Sequence, residues 1–314
     1  MTTTIEIYIG PRDDNFKKLI TSILEKGKLK KKYIDILTND TNMKLFSQAF
    51  TSPTANIDDN YEMYEQLGDL SANKFIVSYV YKRFPQIQCS KGVKIAARLR
   101  INYGAKQSFY EIANNFGFWE YITASKELRD HKKKALLEDT LESFIGCTES
   151  ILDNMFQIGV GYGIVYNILK GIFDEIPISL SYNDLYDAKT RLKETFDPHS
   201  ATLGKLVYLD YRQTLDGRIV VDKEEKIDTI ASSEVYQVRP DKRPPNVVQN
   251  QWTKPTIING IERPREGWIS IGIGKASVKK DAEQKAANEG LKYMNKFYPT
   301  FIKKIPEEYI MFCT

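Results

Sequence analysis

The 314-residue chain is short of the residues on which several kinds of chemistry depend. It has three cysteines, Cys89, Cys147 and Cys313, and none are spaced as CxxC, which argues against a disulfide framework and against a cysteine-based zinc site. Of its two histidines, His131 lies in a basic run and His199 follows a proline. Chemistry built on histidine pairs is therefore disfavoured, and catalysis would fall to carboxylates and metal. Long hydrophobic runs are also missing. The longest mostly apolar stretch, Ile158 to Leu169, is broken by glycines and too short to span a bilayer. Met1 to Arg12 carries Glu6 and has no apolar core of a signal peptide. The expectation is an intracellular, cytoplasmic protein with no membrane partner. Charge of one sign is scarce as well: 45 basic against 41 acidic residues leave +4, which permits a polyanionic partner without requiring one.

What is present suits a globular protein, with 42% hydrophobic and 27% charged residues, and at roughly 150 residues per domain the length suggests two domains. Thr3 to Ile9 alternates like a short strand. Asn15 to Lys28 has the period of an amphipathic helix, with Phe16, Leu19, Ile20, Ile23 and Leu24 on one face. Residues 1–32 are set apart as an N-terminal extension. From Tyr33 to Ile176 apolar residues recur every three or four positions with little punctuation, which predicts an all-α domain over 33–176. Beyond it, Asp184 to Phe196 is helical. Leu206 to Gln213, Gly217 to Val221, Val235 to Val238, Thr256 to Ile261 and Trp268 to Ile273 read as strands, and Ser277 to Asn295 returns to helix. This is a small α+β domain, α-β-β-β-α in outline, over 183–296. Asp222 to Lys254, polar and containing prolines, reads as an insertion or long loop, and 297–314 as a C-terminal tail.

Two acidic pairs sit at helical spacing. Glu65 and Asp69 are four apart and Asp139 and Glu142 three apart, each pair on one face of an otherwise apolar helix. Two such helices packed together could aim four carboxylates at one point. Repulsion among them is tolerable in a partly buried setting chiefly when cations neutralise it, and Mg²⁺, which prefers oxygen, is the natural choice. Gly68 and Gly146 would let backbone or ligand come close. Acidic pairs at this spacing are commonly solvated faces, so spacing alone does not decide.

The run Glu62-Met63-Tyr64-Glu65-Gln66-Leu67-Gly68-Asp69 resembles the signature N-E-x-x-E-F-L-G-D of the ribonuclease III family. Leu137-Glu138-Asp139-Thr140-Leu141-Glu142-Ser143-Phe144-Ile145-Gly146 resembles that family's L-A-D-x-x-E-A-x-I-G helix. Gln48 to Ser52 resembles its A-L-T-H stretch, Tyr81 to Pro85 the close of its signature helix, and Phe109 to Phe118 its L-A-x-x-A-x-x-x-G-L segment. In the second half, Asp187 to Glu194 is similar to the D-x-K-T-x-L-Q-E first helix of a double-stranded RNA-binding domain. Gly274 to Ala287 is similar to its G-x-G-x-S-K-K-x-A-E-x-x-A-A ending.

The resemblance implies a nuclease domain followed by a double-stranded RNA-binding domain. It implies a Mg²⁺-dependent endoribonuclease, with Mn²⁺ able to substitute, that cuts RNA duplexes to 5′-phosphate and 3′-hydroxyl ends with short 3′ overhangs. Glu65, Asp69, Asp139 and Glu142 match the catalytic, metal-binding set, and Glu62 a supporting acidic position. Lys279, Lys280, Lys275, Lys189, Thr190 and Lys193 match positions expected to contact RNA, with Lys279 and Lys280 at a helix start suited to phosphate. Lys132, Lys133 and Lys134 offer further phosphate contacts or a solvated cap. The family pairs two nuclease domains, so a homodimer is implied. Four departures stand out: Gln66 replaces the aromatic that plugs into the partner subunit, Tyr61 replaces asparagine, Ser52 histidine and Glu138 alanine. Glu138 would add charge near the metals or face solvent. No G-P-x-H loop is recognisable; Pro240 to Asn246 is the nearest candidate. The alternative reading is a catalytically silent relative that serves as a structural or sequestering double-stranded RNA-binding protein, although silent relatives usually lose acidic-set carboxylates and all four remain here.

Overall fold

The computed structural model describes residues 5–104, 106–214, 218–220 and 229–312, and the chain divides into two compact units between Leu180 and Ser181. Thr3, Thr4, Gly217, Val221, residues 222–228 and Cys313, which fall in segments assigned from sequence above, lie outside the described residues.

The first unit is helical, as its apolar spacing predicts. Its elements are β1 (Ile7–Tyr8), α1 (Asp14–Glu25), α2 (Lys31–Leu37), α3 (Asp40–Ala49), α4 (Glu62–Arg83), α5 (Gly92–Tyr103), α6 (Lys106–Asn115), β2 (Ala124–Ser125), α7 (Lys126–His131), α8 (Lys133–Met155) and α9 (Val160–Phe173). The central helix is α8, on which Leu136 to Thr148 are buried except Asp139. Phe144 stacks on Phe46 at 5.6 Å and meets Phe118 edge-on, which fixes α3 and the segment before β2 against α8.

The N-terminal segment is part of this unit's core. Asp13 caps α1 by accepting from the backbone N–H groups of Asn15 and Phe16, and Phe16, Leu19, Ile20, Ile23 and Leu24 are all buried. Strand β1 pairs antiparallel with β2. Between them the Arg12 guanidinium donates to the Tyr121 carbonyl (2.6 Å), the Ser47 hydroxyl (2.8 Å) and the Thr123 hydroxyl (3.2 Å). Burial lowers its pKa to about 10. Among the described residues no helix is long and apolar enough to cross a membrane.

The second unit comprises α10 (Tyr182–Leu185), α11 (Ala188–Phe196), α12 (Ser200–Leu203), β3 (Lys205–Thr214), β4 (Ile219–Val220), β5 (Thr229–Val238), α13 (Gln249–Trp252), β6 (Thr256–Ile258), β7 (Ile261–Arg263), β8 (Ile269–Ala276), α14 (Lys279–Phe297) and α15 (Glu307–Phe312). Strands β4, β3, β5 and β8 form one antiparallel sheet in that order. Leu192 and Phe196 of α11 and Ala286, Ala287 and Met294 of α14 pack with Val235 and Ile271 in one core cluster. Helix α14 lies directly on β8, where a Cβ at Gly272 would meet the Ala286 carbonyl at 2.2 Å and one at Gly274 the Ala282 carbonyl at 2.0 Å. Near the end of the chain, buried Tyr309 packs edge-on against Tyr182 and shares a 2.9 Å hydrogen bond with the Tyr186 hydroxyl, so part of the expected tail is docked.

Residues 222–254 are not one loop. Thr229 to Val238 is an inner strand of the sheet, paired with β3 from Thr214↔Thr229 to Lys205↔Val238. The strand is covered on both faces, which removes the polar and apolar alternation by which a strand is recognised. The insertion instead runs from Arg239 to Gly267, and it buries Trp252 and Trp268 with Leu209, Tyr236 and Val238 as a second cluster. The Trp268 indole donates to the Trp252 carbonyl at 3.0 Å. Thr256 to Ile261 is not one strand: β6 and β7 form a hairpin from Thr256 to Arg263 that turns on Asn259 and Gly260, both at positive φ as a type I′ turn requires.

Candidate active site

Helices α4 and α8 meet backbone to backbone. A Cβ at Gly68 would lie 1.7 Å from the Glu142 carbonyl oxygen, and one at Gly146 would lie 2.0 Å from that of Tyr64. Only glycine permits this approach, and it occurs beside Glu65, Asp69, Asp139 and Glu142.

The carboxylates of Glu65, Asp139 and Glu142 offer oxygens that all lie within 4.8 Å of one another, an arrangement able to hold a metal ion. Glu142 is 7% exposed, and its pKa is pushed up to about 8, first by burial and then by the charges of Glu138, Asp69, Glu65 and Asp139. Asp69 stands outside the group of three but close enough to act on Glu142. It accepts from the Asn73 side-chain amide at 2.8 Å, and the same amide reaches the Asp69 carbonyl one turn back. Glu62 is exposed in the first turn of α4 and is not one of the three. Glu138 is 4% exposed, so it does not face solvent, and its charge is the largest electrostatic contribution to the shift at Glu142.

One contact was not expected from sequence. Tyr61, 4% exposed and directly before α4, donates its hydroxyl to Asp139 Oδ2 at 3.2 Å. The only signal was its departure from the family motif.

The chain is 35% identical over 318 aligned positions to a protein of Invertebrate iridescent virus 6 provisionally named ribonuclease 3, covering 98% of this chain and 96% of that one. The chain belongs to the ribonuclease III family. A provisionally named ribonuclease 3 of Frog virus 3 (isolate Goorha) is 40% identical over 199 residues, 61% of this chain and 53% of that protein. Ribonuclease 3 of Lactobacillus johnsonii is 34% identical over 134 residues, covering 40% and 56%. No protein-family model matches the chain. Among solved structures, the nuclease domain of ribonuclease III from Campylobacter jejuni aligns at 24% identity over 50% of this chain and 98% of its own, with a TM-score of 0.38.

In this ribonuclease III relative, three of the six residues expected to contact RNA have side chains engaged within the second unit. Lys279 Nζ lies 2.9 Å from Asp210 and 3.9 Å from Glu283, and Lys189 Nζ lies 2.7 Å from Glu283 and over the Tyr208 ring. Thr190 is tied to Asp187, the cap of α11, through its amide and hydroxyl. Lys193 and Lys280 are exposed, as is Lys275, whose carbonyl accepts from Lys285. Pro240 to Asn246 follows the Val238 end of β5, whereas α14 begins near Ala276, which pairs with Ala231 at the other end. That segment therefore does not accompany Lys279 and Lys280. In the first unit, Lys133 and Lys134 lie over the rings of Trp119 and Tyr110, and Lys132 is exposed.

Proposed function

We propose that this chain is a Mg²⁺-dependent endoribonuclease that cleaves double-stranded RNA to 5′-phosphate and 3′-hydroxyl ends with short 3′ overhangs. The observation that carries the reading is the convergence of Glu65, Asp139 and Glu142 across the glycine contact of two helices. The donor set fits the ion: every candidate ligand is a hard carboxylate oxygen, and the crowded negative charge that raises Glu142 is what a divalent cation offsets. Glu65, Asp139 and Glu142 would hold Mg²⁺ or Mn²⁺, with Asp69 alongside. When bound, such ions supply a water of lowered pKa and a clamp on the phosphate oxygens. The chain's own work is placement. Asn73 fixes the Asp69 carboxylate, and the glycine contact sets the separation of the acidic pairs.

Two further parts complete the proposal. The second unit serves as the double-stranded RNA-binding module, reading A-form shape over ~16 base pairs. Val278 caps α14 with no side-chain acceptor, which leaves the first N–H groups of a 19-residue helix to support phosphate beside Lys280. A second copy of the chain docks on α4, where Met63, Leu67, Leu70, Val77 and Tyr81 are exposed and give the helix an apolar stripe interrupted by Gln66.

The deciding experiment compares wild type with Glu142→Ala on one long RNA duplex in Mg²⁺, mapping product ends. Cleavage by wild type, abolished in Glu142→Ala and in Asp69→Asn with duplex binding nearly intact, is the expected result. A wild-type protein that leaves duplexes whole in both Mg²⁺ and Mn²⁺ is instead a silent duplex-binding relative.

A further inference from the structure

Two departures from the family motif meet in space. Ser52, where the motif has histidine, is fully buried, follows the residue whose carbonyl accepts the Tyr61 amide, and shares a 3.0 Å hydrogen bond with the Thr54 hydroxyl. Tyr61 stands where the motif has asparagine, and its hydroxyl reaches on to Asp139 Oδ2. A small residue has taken the place of a large one at 52, and a large one the place of a small one at 61.

The tyrosine is held along its whole length. Its amide donates to the Thr51 carbonyl at 2.9 Å, and its carbonyl accepts from the Glu65 amide at 2.8 Å, in the turn that carries the first carboxylate. Ser52 is anchored in turn, donating its amide to the Thr123 carbonyl at 2.8 Å. The phenol is therefore a fixed donor. A phenol keeps its proton at neutral pH, so this hydroxyl is the donor to Asp139.

We propose that Tyr61 is a positioning residue that orients Asp139 for divalent metal, and that Ser52 and Tyr61 act as a coupled pair in place of the motif's histidine and asparagine. The proposal rests on the metal-dependent reading above. A carboxylate crowded by Glu65 and Glu142 is repelled outward, and a fixed hydroxyl donor opposes that rotation, so the site waits with its oxygen already aimed. Outer partners of metal ligands commonly act this way, and their removal costs about 10- to 100-fold in metal affinity or activity.

The test is calorimetric titration of metal-stripped protein with Mg²⁺ and Mn²⁺, paired with cleavage kinetics over a Mg²⁺ series. Tyr61→Phe keeps the ring and loses only the hydroxyl. It should bind metal about 10-fold more weakly, show a lower kcat with unchanged KM for duplex, and recover kcat at high Mg²⁺. Ser52→His and Tyr61→Asn should each weaken metal binding, whereas the double variant should recover most of it. Unfolding without metal checks the fold of each variant. Tyr61→Phe with wild-type metal binding overturns this proposal alone, as does a double variant no better than the sum of its singles. A wild type that binds neither ion overturns the functional reading along with it.

Discussion

Gly68→Ala is the sharpest perturbation of this fold. A Cβ there would lie 1.7 Å from the Glu142 carbonyl oxygen and 3.0 Å from the Gly146 amide nitrogen, whereas ordinary contact begins near 3.4 Å. Both obstructing atoms are backbone, so no rotamer change relieves the clash. Helices α4 and α8 must part by roughly 1.5 to 2 Å, an overpacking that costs about 1–3 kcal/mol. Taken at about 3 kcal/mol, the loss lowers the Tm of a unit this size by roughly 6–12 °C. The same movement carries Glu65 and Asp69 away from Asp139 and Glu142, and ~1 Å of misplacement is enough for a ~100-fold loss of rate. Gly163→Ala is the control, because that glycine lies within α9 and nothing lies within 4 Å of an added Cβ. It should leave cleavage unchanged and stabilise by about 0.5–1 kcal/mol. Thermal unfolding followed by circular dichroism, with duplex cleavage on the same samples, decides the matter. A Gly68→Ala protein with wild-type Tm and rate would falsify the account of how the carboxylates are placed.

Other expectations follow from the site and the second unit. Glu142 titrates from 4.5 in the unfolded chain to about 8 when folded, so the native state holds the extra proton between those values. Metal-free protein should therefore lose stability as pH rises from about 4.5 to 8, and the Tm gain from saturating Mg²⁺ should grow over the same range. Glu142→Gln should flatten both trends. Lys279→Ala with Lys280→Ala should weaken duplex binding and reduce its salt slope by roughly one for each phosphate that the lysines no longer neutralise. Asp210→Asn, which releases Lys279 from its ion pair, should strengthen binding in a filter-binding assay. Trp252→Ala removes a fully buried indole and should cost the second unit about 3–5 kcal/mol, seen in its unfolding transition.

The parts of this molecule that were legible in the sequence are those whose signal is local. Helix period gave the first unit, and acidic residues three and four apart beside glycines gave the approach of α4 and α8, because one helix face is a short-range pattern. What escaped depends on contacts between distant residues. Arg12 looks like one basic residue among many, yet its partners are carbonyls and hydroxyls some 35 to 111 positions away. The buried Ser232 and Ser233 of β5 read as loop because two adjacent serines carry no apolar signal, and their burial follows only from pairing with β3 and β8 on either side. Tyr61 was visible only as an oddity until Asp139, 78 positions on, was placed beside it.

The seating of α1 also bears on where the gene can be cut. A fragment begun at Tyr33, where the apolar spacing predicts the helical domain to begin, would discard the five buried side chains of α1 and the Arg12 anchor. It would leave their apolar counterparts on α9 and around Phe50 open to water, an invitation to precipitate. A soluble nuclease half has to start ahead of β1, so the boundary suited to expression lies more than twenty-five residues before the one that apolar periodicity suggests.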